Sequence, residues 1–404
     1  MTTTGTMLQD DVPPARRAPR RPRRWVLIAL AVVLALVVAV VVWAIEAAQA
    51  YYAIAPGTAP VVSAAADCKQ SGGGSFALPG GRACVKVVLP AGKSSSVSGS
   101  VMMVDVLVGP ASMGDFLLAK LGLLHQFRDG TVLVPKGEIL GNTPASQLDC
   151  QGAQQMSDAT SSAEVVALRR LGYHVGQNDL GAQVDLVAPG TPAAAAGVHC
   201  NDLVTAVDGH PVRTAADLVD AIHAAKPGAT VSLTATRTGR GGKPATVHLQ
   251  AKLSGTPAEA GRPAQPDQAF LGVSTQTRST FSYPFPVHIQ VGQIGGPSAG
   301  LAMTLGLLDA LTNGQLTGGH RIAATGTIDL QGQVGPVGGV AQKAVAVRHA
   351  GAQVFLVPPS DLAAARSEAR SMKVYPVTSL DQALNILGSL GGHVPKAPAA
   401  SAAK

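Results

Sequence analysis

The stretch WVLIALAVVLALVVAVVVWAI, Trp25 to Ile45, contains no charged residue. At about 1.5 Å of rise per residue, a helix through it spans a hydrocarbon core of about 30 Å. Trp25 and Trp43 stand near its two ends, where amphipathic rings favour the membrane–water interface. Arg16, Arg17, Arg20, Arg21, Arg23 and Arg24 precede it, opposed only by Asp10 and Asp11. Basic flanks stay on the cytoplasmic side. The reading is therefore a cytoplasmic basic tail over 1–24, a single-pass cell-membrane anchor over 25–45, and an extracytoplasmic remainder. A cleavable signal peptide competes with it, because Ala48-Gln49-Ala50 has the small-x-small form of a cleavage site. The apolar run exceeds the roughly 7–15 residues of a signal core, which favours an uncleaved anchor.

The formal net charge is +7, and the arginine cluster supplies more than half of it. The basic balance thus belongs to the membrane flank, and no nucleic-acid partner is expected. Hydrophobic residues make up 46% of the chain and aromatic residues only 3%, so its cores are built from Ala, Val and Leu. Cys68, Cys84, Cys150 and Cys200 have no metal-site spacing. Outside the cytoplasm they read as disulfides. Four cysteines allow three connectivities, and the sequence leaves the choice open, with Cys68–Cys84 closing the shorter loop.

Residues 51–160 form a small β-rich region in this reading. ACVKVVLP (Ala83–Pro90) and GSVMMVDVLVG (Gly99–Gly109) alternate as half-buried strands do, and SMGDFLLAKLGLL (Ser112–Leu124) has helical spacing. No chemical motif stands out in this region.

Beyond Ala163 the texture changes. SAEVVALRRL reads as a helix. APGTPAAAAGV combines a Pro189-Gly190 turn with a short helix ended by Gly197. NDLVTAVDGHPV is a strand closed by the tight turn Asp208-Gly209, followed by a helix TAADLVDAIHAA and a strand TVSLTATR. This series resembles a bacterial PDZ domain over 165–253. The resemblance implies peptide capture at a sheet edge, with Leu171-Gly172-Tyr173 as the loop for a terminal carboxylate. The competing reading is a domain that only spaces or docks its neighbour. Pro, Gly and Ala enrich the stretch 254–268, which reads as a linker, and 391–404 as a disordered tail.

The last domain, 269–390, holds the chemistry. FPVHIQV is a strand, GQIGGPS a glycine-rich approach to Ser298, and AGLAMTLGLLDALT a helix. Ser298 at a helix N-terminus stands where free amides gather, which suits an oxyanion and equally suits a helix cap. The series Gly296-Pro297-Ser298-Ala299-Gly300, Ala324-Thr325-Gly326, Gly332-Gln333-Val334, Gly338-Gly339, Lys343 and AGAQVFLVP ahead of Asp361 is similar to the proteolytic domain of Lon-type serine proteases. The order of anchor, PDZ domain and proteolytic domain resembles the membrane-anchored, ATP-independent PDZ–Lon proteases of Gram-positive bacteria. The resemblance implies a Ser-Lys dyad: Ser298 as nucleophile, Lys343 as general base, and Thr325 and Gly296 in support. It also implies protein or peptide substrates, a homo-oligomer, and no cofactor. Serine needs a base within reach, and lysine serves as one only when neutral.

Two departures stand out. Gln293 and Gly295 occupy places where many Lon domains carry an acidic residue, and Thr325-Gly326-Thr327 replaces Thr-Gly-Glu. They keep open an alternative, a catalytically impaired PDZ adaptor tethered to the membrane. A phosphate loop would place its first glycine where Val87 stands before Gly92-Lys93-Ser94, so no ATPase is expected. Gly296-x-Ser298-x-Gly300 also fits an α/β-hydrolase elbow with His320, His349 and Asp361 downstream, but the chain after Ser298 is short for that fold. His288 and His320 lack spaced partners, and no metal is expected. The fold expected is an α+β multidomain chain: transmembrane helix, β-rich region, PDZ domain and C-terminal Lon-type α/β domain.

Overall fold

The computed structural model describes residues 24–64, 69–70, 76–77, 83–90, 99–141, 143–239, 242–258, 263–292 and 294–395. The basic tail up to Arg23, Cys68, Gly92-Lys93-Ser94, Gln293 and the tail from residue 396 lie outside them.

An uninterrupted helix covers Arg24–Ala48, long and apolar enough to cross a membrane. Its last turn is held by protein: Ala44 and Ala48 bury against Phe116. The rings of Trp43 and Tyr51 each lie 5.8 Å from that of Phe116. Phe116 sits on a helix, Met113–Lys120, opened by a capping box between Ser112 and Asp115. Strand Tyr51–Pro56 leaves the apolar helix and lies between Val106–Pro110 and Val132–Pro135, antiparallel to both.

The main sheet joins distant parts of the chain. Arg321–Ala324 runs parallel to Val354–Val357 on one side and to Ser100–Met102 on the other. Lys373–Pro376 extends one edge. Towards the other edge come Val61–Ser63, then Ala83–Val88, on which His288–Gln290 pairs antiparallel. Central strands such as Val354–Val357 are buried on both faces, hence their unbroken apolar run. On one face Met303, Leu305 and Leu308 of helix Gly300–Leu311 pack with Val165 and Leu168 of the long helix Ala145–Arg170. A second cluster packs Ala344 and Val347 of helix Val340–His349 around Phe355. Gly306 lies where a Cβ would come within 2.4 Å of Val62, so this helix approaches the sheet more closely than alanine allows.

The region 51–160 therefore does not stand apart from 269–390. Five of its strands lie in the C-terminal domain's sheet, and its long helix forms part of that domain's core. Reading along the chain cannot reveal this, because each strand is too short to announce its partner. The alternating run Gly99–Gly109 also divides into two strands, Ser100–Met102 and Val106–Pro110, in different sheets.

The second unit is a β-domain with strand order Pro244–Lys252, Thr230–Thr238, Leu203–Val207, Gly176–Val187 and Val273–Ser282. Its helix Ala215–Ala224 begins with a Thr214–Asp217 capping box and buries Leu218 and Ile222 against the sheet. The turn at Asp208-Gly209 takes positive φ at both residues, as a type I′ turn requires. The expected linker 254–268 contributes two paired strands instead: Ser254–Thr256 pairs antiparallel with Gln265–Phe270, while the flanking Leu253, Ala269 and Leu271 bury in this domain's core. Composition misleads here because three apolar residues suffice to dock a Pro/Gly-rich hairpin. A disulfide, Cys150–Cys200, ties the long helix to this domain. Cys84 is also disulfide-bonded.

Candidate active site

Ser298 is half-buried, immediately before helix Gly300–Leu311. The N-cap is Ala299, and no side chain caps the helix. The expectation of a capping serine is thus corrected: a small apolar residue fills the cap, and Ser298 stands one residue outside. Gly296 adopts φ +88° and donates its amide to the carbonyl of Gly152 at 2.8 Å. That bond pins the glycine-rich approach to the long helix.

Lys343 enters from helix Val340–His349, whose N-cap Gly339 takes a left-handed conformation. It is 2% exposed. Its ammonium donates to Thr325 Oγ1 at 3.3 Å, and the Thr325 hydroxyl donates to the carbonyl of Ser298 at 3.1 Å. Gly326 donates its amide to the same carbonyl at 2.9 Å. Thr325 is fully buried at the end of strand Arg321–Ala324, with its amide on the carbonyl of Leu356. One threonine thus connects lysine and serine segments contributed by different elements. Burial lowers the Lys343 amine to about 8, against the opposing pull of the Asp361 and Asp105 carboxylates. Asp361 is in turn oriented by the Val337 amide at 3.1 Å.

Beside Gly295 opens a cleft of about 800 Å³. Leu148, Gly152, Ala153 and Met156 of the long helix line one side, and Val291, Gly292 and Ile294 another. The helix residues escaped the sequence reading. Their only signal was the small pair Gly152-Ala153 within a helical stretch, which says nothing of what lies opposite.

The residues expected to hold a terminal carboxylate are placed otherwise. The amides of Leu171, Gly172 and Tyr173 donate to the carbonyls of Ala167, Arg169 and Leu168, closing the long helix. His288 Nδ1 lies 3.4 Å from Glu164. Ligand atoms of His125, Asp129 and Glu368 lie within 4.8 Å of one another, but the Arg348 guanidinium already donates to Asp129 at 2.9 Å and competes with a metal cation there.

Comparison with known proteins follows this division. Residues 169–250 match the PDZ domain model, and residues 274–388 match that of the Lon protease (S16) C-terminal proteolytic domain. The chain joins a PDZ domain to a Lon-type proteolytic domain. Lon protease of Chloroflexus aggregans is 33% identical over 106 residues, 25% of this chain and 13% of the relative. Lon protease 2 of Thermus thermophilus is 39% identical over 112 residues, 26% of this chain and 14% of the relative. The chain thus spans about one-seventh of the length of the curated relatives it matches. The PDZ domain of an SdrC-like protein from Listeria monocytogenes is 26% identical, with 24% of this chain and 87% of that one covered and a TM-score of 0.18. The Lon-type match begins at 274, yet Val273–Ser282 pairs with the PDZ sheet. The strands from 61–102 and the long helix, which complete the Lon-type sheet and core, precede the PDZ domain in sequence. The PDZ domain is therefore flanked in sequence by segments that share one sheet and one core with the Lon-type match.

Thr325→Val tests the connection. Valine keeps the shape and removes both the acceptor for Lys343 and the donor to Ser298, so turnover should fall about ten- to a hundredfold. Unchanged kcat in the folded variant would show that Thr325 only fills space.

Proposed function

We propose that this chain is a membrane-anchored serine endopeptidase, with Ser298 as nucleophile and Lys343 as its general base. The observation that carries the reading is a lysine almost sealed from water, its amine lowered towards neutrality, joined through Thr325 to the Ser298 segment. A surface lysine would stay charged and useless as a base. In the reaction, the neutral amine accepts the Ser298 hydroxyl proton as Oγ attacks the scissile carbonyl. The ammonium then protonates the leaving amine, and water releases the acyl group by the same route reversed. The positive end of the dipole of helix Gly300–Leu311 favours the developing oxyanion beside Ser298. The cleft beside Gly295 receives the substrate chain, which enters extended. Protein segments that are already unfolded, outside the cytoplasm, meet that requirement without a separate unfolding motor.

A membrane-impermeant serine-reactive phosphonate added to intact cells tests chemistry and sidedness together. Labelling of Ser298 in intact cells is expected. Labelling only after lysis would overturn the orientation, and labelling in neither case would overturn the peptidase.

A further inference from the structure

PDZ domains take peptides as an added antiparallel strand on one sheet edge. Here that edge belongs to Gly176–Val187, which has Leu203–Val207 on its inner side. Its outer side is already filled. Val273–Ser282 pairs along it antiparallel, from Val273 opposite Val187 to Ser282 opposite Gly176. Side chains fix the strand as well. The Ala215 amide, at the start of helix Ala215–Ala224, donates to Thr277 Oγ1 at 3.1 Å. Ser279 donates to Asp179 at 2.6 Å. Gln276 and Arg278 both donate to Asp158 of the long helix.

The strand leads directly to the proposed nucleophile. Tyr283 donates its hydroxyl to Glu164 at 2.8 Å, and the same carboxylate accepts the Ile289 amide at 3.0 Å. Gly296 then bonds Gly152, two residues before Ser298. The segment from Gln276 to Gly296 is thus stitched to one helix at Asp158, Glu164 and Gly152. That helix is itself tied to the PDZ domain. Besides Cys150–Cys200, Gln147 accepts the Val187 amide at 3.1 Å and Gln154 donates to the Val184 carbonyl at 3.2 Å. The amides of residues 171–173 are engaged in closing the helix and hold no free donor for a carboxylate.

We propose that Val273–Ser282 is the resident ligand of the PDZ edge, so that the PDZ domain positions the Ser298 segment instead of capturing external peptides through that edge. The positioning half rests on the peptidase reading above. Tyr283 and Glu164 act as positioning residues, since they hold the strand His288–Gln290 that precedes the glycine-rich approach.

The test uses the full chain in detergent micelles, with three arms. A fluorescent peptide with the sequence of residues 275–282 and a free carboxylate should not bind saturably, and saturable binding would overturn resident occupancy. Asn178→Cys with Thr280→Cys, opposite each other in the register, crosslinks the strand in place. The oxidised variant should hydrolyse an unstructured protein as fast as the uncrosslinked Asn178→Ser/Thr280→Ser variant. A loss of turnover on crosslinking would show that the strand must leave, and would overturn the proposal. Tyr283→Phe should lower kcat about fivefold with KM unchanged, the mark of lost positioning. Unchanged kcat, or a rise in KM alone, would overturn the positioning role. A parent chain without hydrolysis would refute the peptidase reading, and the peptide arm would still decide occupancy.

Discussion

Ser298→Ala should abolish peptide hydrolysis and leave the fold intact. Serine is the only group at this position that can form an acyl intermediate, and alanine leaves no oxygen there. The structural cost is small because Ser298 does not cap the helix that follows: Ala299 does, without a side-chain bond. The Ser298 carbonyl, held by Thr325 and Gly326, survives the substitution. Stability should therefore stay within about 1 kcal/mol of the parent, as for substitutions that remove no buried partner. The measurement pairs hydrolysis of an unstructured protein with chemical denaturation of both chains. Hydrolysis at the parent rate by a folded Ser298→Ala chain would end the assignment. An inactive variant that had also lost its cooperative transition would not support it either, and Ser298→Thr, which keeps a hydroxyl, would then be compared.

Much of this arrangement was legible along the sequence, and the remainder for physical reasons was not. Ser298, Thr325 and Lys343 were named through the ordered series of short motifs that resembles a Lon-type domain, because each local pattern alone fits a helix cap, a strand end or a surface lysine equally well. The apolar helix Arg24–Ala48 was equally open, since its period-free hydrophobicity is a local property. What stayed hidden is long-range. Val61–Ser63 is three residues long and becomes a strand only because Met102 and Cys84 lie opposite. Val273–Ser282, with polar residues on both faces, gives no periodic signal for a partner nearly a hundred residues upstream. Gly152 looks unremarkable in a polar helix, yet its carbonyl receives the Gly296 amide. A sheet shared by segments on either side of another domain leaves no mark in composition at all. The Leu171-Gly172-Tyr173 expectation failed for a related reason, because a loop motif was read without the helix whose end it closes.

Lys343→Met should be as inactive as a chain without serine, and it should show why a lysine is buried there. Methionine matches the side chain in length and fits an apolar site, but it accepts no proton. Lys343→Arg should also be inactive, since a guanidinium stays charged. In the parent, activity should rise as pH passes through about 8, where the buried amine loses its proton, and level off above. Stability carries the same signature. The unfolded lysine keeps its proton up to about pH 10.4, whereas the folded one releases it from about 8. Between those values the unfolded state binds more protons, so parental stability should increase with pH across that window. Below 8 both states are protonated, and the cost of burying an ammonium is present in full. Lys343→Met removes that cost and should be more stable than the parent at pH 7 by up to about 3 kcal/mol, the gain shrinking as pH rises towards 10. Denaturation of both chains at pH 7 and pH 10 reads the difference, and pH–rate profiles read the base. A variant less stable than the parent at both values, together with a parental rate flat through pH 8, would mean that Lys343 holds its charge in the fold and does not act as the base.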